Sequence, residues 1–420
     1  MTQKIKSNYH WLIAVLVFIE MIIFGGIINS FSVYTIPISE SLGVSRGVFA
    51  LAGTPYGVVS FLSSTVTVVL FNRVGYRKLA FFSLITSVCG LVLMSFSENL
   101  WVYSISRALF GIGYGAGFTA GSVWIIRQWF QKHVGLVLGL VSMASGIGGS
   151  IMTLLLSNQI VTFGWRTAAR TSALLLLPIT FAILIFVRDN PKELNLLPLS
   201  DTQKVTKKIR RESDWPGLPA DTYYRRPLFY MMCFATLTSC ICLYMTSFVI
   251  VPHFRDNGYS PTAASRYDSV YMLCLAFAKL ALGWFSDRFG AKPLAAICLS
   301  CTAIGQLILS DVSNPFLSYV GVILFSVGLC MSSISIPLIS MPLFGYDSSI
   351  QLNSIFISMT SLGSIIAIPL SNLVYDRIGS YSPGFTVAAV ISLGLIAVYM
   401  IMFAIAKKDR AEYLKKAPLK

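Results

Sequence analysis

RYDSVYMLCLAFAKLALGWFSDRFGAKPL, residues 266–294, is the stretch on which the reading of this chain turns. It begins as an apolar run able to cross a bilayer, interrupted by one cation, Lys279. It ends in a charged turn, GWFSDRFGAK, that leads straight into another apolar run. A lysine inside a membrane helix costs about 2.5–3.5 kcal/mol even on the mildest scale, so it marks a functional site unless something else explains it.

The surrounding composition supports the membrane reading. Of 420 residues, 55% are hydrophobic and 12% charged, with a mean hydropathy of +0.73. Soluble domains carry about 25% charged residues. Apolar runs near the roughly 20 residues that a spanning helix needs occur at 11–36, 47–70, 79–97, 101–126, 134–157, 168–187, 227–251, 267–285, 293–310, 315–341, 348–374 and 383–405. These twelve are numbered here as spans 1–12, and an even number places both termini on one side. The first follows MTQKIKSNYH, a basic start, but it is longer than the 7–15 residue core of a signal peptide and lacks a small-residue cleavage site. It reads as a retained helix.

Lysine and arginine set the orientation. With the N-terminus inside, 24 of the 32 lie on the cytoplasmic side. Six lie opposite: Arg46, Arg166, Arg170, Arg255, Arg266 and Arg377; Arg107 and Lys279 are within the membrane. The positive-inside rule puts both termini in the cytoplasm, with the chain in the cytoplasmic (inner) membrane. The net charge of +15 follows from this topology. Its partners are anionic membrane lipids, not nucleic acid.

All eight cysteines lie within or at the ends of apolar runs, and the three histidines (His10, His133, His253) cluster with none of them. Cys298 and Cys301 have metal-like spacing but no histidine beside them, so neither a zinc site nor a disulfide framework is supported. No metal or cofactor is expected.

The chain also repeats itself. Pro37, Gly43 and Ser45 match Pro252, Gly258 and Ser260; NRVGYRK (72–78) matches DRFGAKP (287–293); Gly164 matches Gly379. Every pair is 215 residues apart. Three independent segments in one register describe two six-helix halves, a hallmark of secondary transporters. The expected layout is an N-terminal bundle (1–187), a cytoplasmic linker (188–226), a C-terminal bundle (227–406) and a cytoplasmic tail (407–420). The linker is dense in charge and proline and has no apolar periodicity; its cluster from Lys204 to Arg211 suits lipid headgroups.

The matched turns resemble the signature G-x-x-x-D-R-x-G-R-R of the major facilitator superfamily. The second copy has Gly283, Asp287, Arg288, Gly290 and Lys292; the first keeps Arg73, Gly75, Arg77 and Lys78 but has Asn72 in place of the acid. A carboxylate there caps a helix and pairs with arginine, so Asn72 implies a weaker latch in the first half. Arg107 with Gly111, Gly113, Gly115 and Gly117 resembles the superfamily's R-x-x-x-G-x-G motif. FSVYTIPISESLGVSRG, WFQKHVGLVLGL and YDRIGSYSPGF resemble the monocarboxylate porter and oxalate:formate antiporter branch.

The resemblance implies an all-α integral membrane protein with twelve transmembrane helices in two pseudo-symmetric six-helix bundles. It also implies that the cation of span 8, four residues before Gly283, meets a substrate carboxylate; here that residue is Lys279, a point charge in place of an arginine fork. The branch's acid four residues earlier is Leu275, and its span 1 lysine falls on Asn29. Its second cation, in span 11, has no counterpart, since 348–374 carries no charge. One central cation suits a monoanion better than a dianion.

Each buried charge has a plainer reading beside it. Lys279 binds substrate or supports structure, and the length of a lysine lets it snorkel only part of the way to Asp287. Glu20 takes up a coupling proton or packs as a hydrogen-bonded neutral acid. It lies across span 1 from Asn29, so both face one cavity only if the helix bends at Gly25 and Gly26. Arg107 reads as a packing or gating residue. Asn29, Tyr34, Tyr114, Thr119 and Ser358 are polar at cavity depth, yet such residues are also common in helix packing. Asp311 and Asp376 fall at helix ends without partner acids. GIGYGAG lies inside an apolar helix and lacks a P-loop lysine, and no enzyme motif is present.

The expected function is therefore a secondary active transporter that moves a small organic anion, a mono- or dicarboxylate, by alternating access, as an anion exchanger or a proton symporter, and acts as a monomer. Two rivals stand beside it: a proton-coupled exporter of lipophilic compounds, and a membrane metabolite sensor that does not transport.

Overall fold

Twelve helices long and apolar enough to cross a membrane follow one another in the order expected. They run over Tyr9–Leu42, Arg46–Thr67, Tyr76–Ser95, Leu100–Trp129, Val137–Phe163, Trp165–Phe186, Pro227–Ser247, Pro261–Phe289, Ala291–Leu309, Pro315–Ser332, Gln351–Ile378 and Ser382–Ala411. This is a computed structural model, and it describes residues 9–130, 134–194, 196, 217–333 and 335–416. The basic cluster Lys204–Arg211 lies outside the described residues. No strand occurs among the described residues.

The 215-residue repeat is present in the backbone. Gly43 and Gly258 have φ of 64° and 87°, Gly75 and Gly290 both 85°, Gly164 and Gly379 79° and 76°. Glycine meets this conformation without the Cβ clash that other residues suffer. Ser45 and Ser260, also a matched pair, each accept a backbone N–H three residues on, from Val48 at 3.4 Å and Ala263 at 3.2 Å. Pro37 and Pro252 both stand third in short helices, Thr35–Leu42 and Ile250–Asp256, where a missing N–H leaves no helical bond unmade.

Four spans depart from simple rods. Span 1 is α-helical over Tyr9–Asn29, tightens to a 3-10 turn at Phe31–Tyr34 and resumes at Thr35. The α-helix runs unbroken through Gly25 and Gly26. A methyl on Gly25 would meet Ser145 Cβ at 2.8 Å, and one on Gly26 the Gly148 carbonyl oxygen at 2.7 Å. They let span 1 pack backbone to backbone on span 5, as small residues do in membranes. Span 4 widens into a π-helix over Tyr114–Thr119, a distortion that often accompanies function. The run expected over 315–341 breaks: a 3-10 turn at Cys330–Ser332 is followed by a separate helix, Ser335–Phe344. Pro337 accounts for this, because it has no N–H to continue the ladder. The tail expected from 407 onward continues span 12 as helix to Lys416.

By Cα proximity the described chain gathers into two units. The first takes spans 1–6 with Ile250–Ala276 and Tyr375–Gly379; the second takes span 7 to Val249, Phe277–Val374 and span 12 from Ser380. The first unit is knit by aromatic pairs such as Phe24 with Phe110 and Phe118, each at 5.2 Å. In the second, the Tyr223 hydroxyl donates to the Phe344 carbonyl at 3.1 Å, and Arg226 pairs with Asp409 of span 12 at 2.7 Å.

Candidate functional site

Lys279 lies in the second unit, midway along span 8 and half-buried. No ion pair to it occurs among the described residues. The titratable group that acts on it is the thiol of Cys330, at the point where span 10 breaks. Among the described residues, no carboxylate of its own unit pairs with it. Ser358, in span 11 of the same unit, gives its hydroxyl to the Ser354 carbonyl one turn back, at 2.9 Å.

Glu20 is fully buried in the first unit. The Tyr76 hydroxyl reaches one of its oxygens at 3.3 Å; the other has no partner among the described residues. Tyr76 follows Gly75 of the first signature turn and stacks on Trp124 at 6.4 Å, so Glu20 faces the interior of the N-terminal bundle. Asn29 turns elsewhere: its amide donates to the Ser145 carbonyl of span 5 at 3.0 Å. These two residues thus have different partners, Tyr76 for Glu20 and span 5 for Asn29.

Arg107 is 8% exposed. Its guanidinium lies over the rings of Phe31 at 3.9 Å and Tyr56 at 4.5 Å. Its Nε and Nη1 have no hydrogen-bond partner among the described residues. Cation–π attraction is strongest in such a desolvated cage, at about 2 kcal/mol. Tyr34 is buried, its ring 5.5 Å from Phe31. Tyr114 starts the π-helix, 5.6 Å from Tyr56. Thr119 closes that π-helix, and its side chain lies outside the described residues, as does that of Asn72.

The signature turns reverse the expectation of a weaker first latch. In place of Asn72, Asp189 just after span 6 supplies the carboxylate, accepting the Arg77 backbone N–H at 2.7 Å at the start of span 3. Arg77 Nε donates to the Leu184 carbonyl at 2.5 Å, while Arg73 is exposed. In the second copy Asp287, Arg288 and Gly290 are exposed, and no ion pair of Asp287 occurs among the described residues. Arg288 lies 5.6 Å from the Trp284 ring instead.

Two groupings escaped the sequence reading. The first is a polar chain centred on Asp268, near the start of span 8. Asp268 is fully buried, with Oδ2 at 2.9 Å from Thr153 Oγ1 of span 5. Thr153 Oγ1 is also 3.0 Å from Ser30 Oγ at the end of the first helix. Its sequence signal is an acid one residue inside an apolar run. The second is a latch across the repeat. Arg46 pairs with Asp256, and the Gly47 N–H donates to Asp376 at 2.8 Å. Asp376, expected in a loop, is thus the acid at the N-terminus of span 2, where a helix dipole favours negative charge.

Comparison with known proteins follows from this architecture. The chain matches the Major Facilitator Superfamily over residues 13–227 and 232–419. It is similar to Monocarboxylate transporter 11 of Mus musculus, 25% identical over 362 residues, which covers 80% of this chain and 75% of that protein. It is similar to Membrane sensor protein UhpC of Salmonella typhimurium, 23% identical over 282 residues, 63% of this chain and 61% of that one. The crystal structure of a mutant form of nucleoside transporter NupG shares the fold, with a TM-score of 0.76 at 13% identity over 94% of this chain and 100% of that chain. The family match takes in both six-helix halves, and the chain belongs to the Major Facilitator Superfamily.

Proposed function

We propose that this transporter carries a small organic anion, a mono- or dicarboxylate, as an anion exchanger or a proton symporter. The coarser statement needs no proposal: a member of this superfamily is a multi-pass membrane transporter, not an enzyme, and works by alternating access. The observation that carries the finer reading is Lys279, a cation at mid-span with a thiol rather than a carboxylate for its neighbour. A charge so placed is favoured when an anionic ligand completes it. The similarity to a protein named as a monocarboxylate transporter supports the same class.

In this reading Lys279 holds the carboxylate, and Asn29, Tyr34, Tyr114, Thr119 and Ser358 line its path. Glu20 loads the proton if transport is symport. Arg107 and the two signature turns, Asn72 to Arg77 and Asp287 to Gly290, organise the gates. In the same reading both termini face the cytoplasm, which the lysine and arginine distribution supports.

The test is uptake of labelled mono- and dicarboxylates into proteoliposomes, with and without internal anion and a pH gradient, for wild type, Lys279→Arg and Lys279→Ala. Carboxylate flux that Lys279→Ala abolishes and Lys279→Arg partly retains supports the proposal. Flux untouched by Lys279→Ala would overturn the role of Lys279 and favour export of lipophilic compounds. Binding without flux would favour a sensor, as one relative is named.

A further inference from the structure

We propose that Asp268 binds a proton when the side of the carrier bearing loops 1–2 and 7–8 closes, making closure of that side proton-dependent. The inference rests on alternating access and not on the identity of the substrate.

Four oxygens stand in a row: Asp268 Oδ2, Thr153 Oγ1, Ser30 Oγ and the Gly26 carbonyl. The links measure 2.9, 3.0 and 2.7 Å. Each link needs one hydrogen. Thr153 and Ser30 have one each, and a carbonyl has none. Three links and two hydroxyl hydrogens leave one hydrogen to be supplied, and the only group in the row able to supply it is the carboxyl. Protonated, Asp268 donates to Thr153, Thr153 to Ser30 and Ser30 to Gly26, with every hydrogen used. Ionised, it leaves one link without a hydrogen and a carboxylate fully buried, at several kcal/mol.

The surroundings offer no substitute for the proton. Among the described residues the one hydroxyl that reaches the acid is that of Thr153, and Asp268 Oδ1 has no partner. No charged side chain acts on it. Of the ionisable groups on adjoining segments, Arg266 is exposed, Asp256 is paired with Arg46, and His253 packs on Phe254. Glu40 and Arg255 line a pocket of about 210 Å³ with Pro37, Ser157 and Pro261. Ser157 lies one helical turn from Thr153 along span 5. Its hydroxyl donates to the Pro261 carbonyl at 3.3 Å.

The junction is also one that must part. Thr153 and Ser30 belong to the N-terminal half and Asp268 to the C-terminal half, so opening this side breaks the row and exposes the carboxyl to water.

The experiment places a thiol at Ser157→Cys and measures its reaction with a water-soluble maleimide in nanodiscs from pH 5 to 9, above the background of the same protein without that change. No substrate is needed. Taken at each pH as a ratio to the same thiol in an Asp268→Asn background, so that the rise in thiolate cancels, reactivity should rise with pH by about tenfold, the response to a preference of about 1.4 kcal/mol between states. Asp268→Asn itself should show only the rise that thiolate formation gives. Ser30→Ala, which frees the Thr153 hydrogen for an ionised carboxylate, should shrink the rise without abolishing it. An unchanged pH response in both variants would overturn the proposal. So would a response to sodium at fixed pH in place of one to protons. Failure of carboxylate uptake would leave this measurement standing, so the two proposals fail separately.

Discussion

Arg46 and Asp256 meet in a two-point ion pair, Nη1 to Oδ2 at 2.5 Å and Nη2 to Oδ1 at 2.7 Å, although 210 residues separate them. The guanidinium also lies 4.0 Å from the centre of the Tyr375 ring. Beside it, Asp376 accepts the Gly47 N–H. The start of span 2 is thereby held to the ends of spans 7 and 11 by a bidentate pair, a ring face and a charged helix cap. These are contacts between the two sequence halves, on the end of the bundle where the Asp268 row lies.

Breaking this pair should favour opening of that end. Both side chains are partly shielded, at 14% and 19% exposure, and a bidentate geometry with a ring contact should stabilise the closed form by about 1–2 kcal/mol, a factor of roughly 5–30 in the equilibrium. Arg46→Ala and Asp256→Ala should each raise thiol reactivity at Ser157→Cys. The double variant should add little beyond either one. Additive effects in that cycle would show that the pair does not act as a latch.

The two signature glycines should differ in what they tolerate. Gly75 and Gly290 share a φ of 85° with ψ of 156° and 173°, a region essentially confined to glycine, so alanine strains either by about 1–3 kcal/mol. At Gly290 nothing lies within 4 Å of an added methyl, whereas at Gly75 it would meet Asp189 Cγ at 2.9 Å. Gly75→Ala should therefore lower the melting temperature more than Gly290→Ala, and Asp189→Ala should relieve part of the difference. Equal losses at the two sites would remove Asp189 from the account.

The twelve spans and the repeat were legible because both rest on local chemistry: length of apolar run, and glycine, proline and serine where the backbone turns. Lys279 was legible for the same reason, as a charge alone in an apolar run. Asp268 was not. One residue inside the edge of its run, it looks like a solvated terminus until Thr153 and Ser30 arrive from other helices. Asp189 was hidden in the linker, and its service to the first signature turn depends on where span 6 ends. The latch was equally invisible, because Arg46, Asp256 and Asp376 carry no common motif and meet only through tertiary packing. Asn72 misled in the opposite direction: the motif loses its acid while the fold supplies one from another segment.

Glu20 separates the two arms of the proposed function. With Tyr76 as the one hydroxyl reaching it, Glu20→Gln keeps the size and a hydrogen-bonding group, so folding and anion exchange should persist. If symport operates through this acid, accumulation driven by a pH gradient should disappear while counterflow remains. Retention of gradient-driven accumulation would end its candidacy as the coupling group. Tyr76→Phe leaves a buried carboxyl without its partner and should cost about 1–3 kcal/mol in stability, read as a lower melting temperature with the fold retained.

Arg107 gives the sharpest contrast between packing and binding. Its guanidinium is sandwiched by Phe31 and Tyr56, a use of planarity that lysine cannot reproduce, because an ammonium is compact and more strongly hydrated. Arg107→Lys should therefore destabilise the protein despite conserving charge, by about 1–2 kcal/mol if the desolvated cation–π contacts are lost. Phe31→Leu should reproduce part of that loss, and the two changes together should be less than additive, since both remove the same contact. Uptake by the folded fraction should keep its KM. A raised KM with an unchanged melting temperature would instead place Arg107 against the substrate, with two cations serving the anion rather than one.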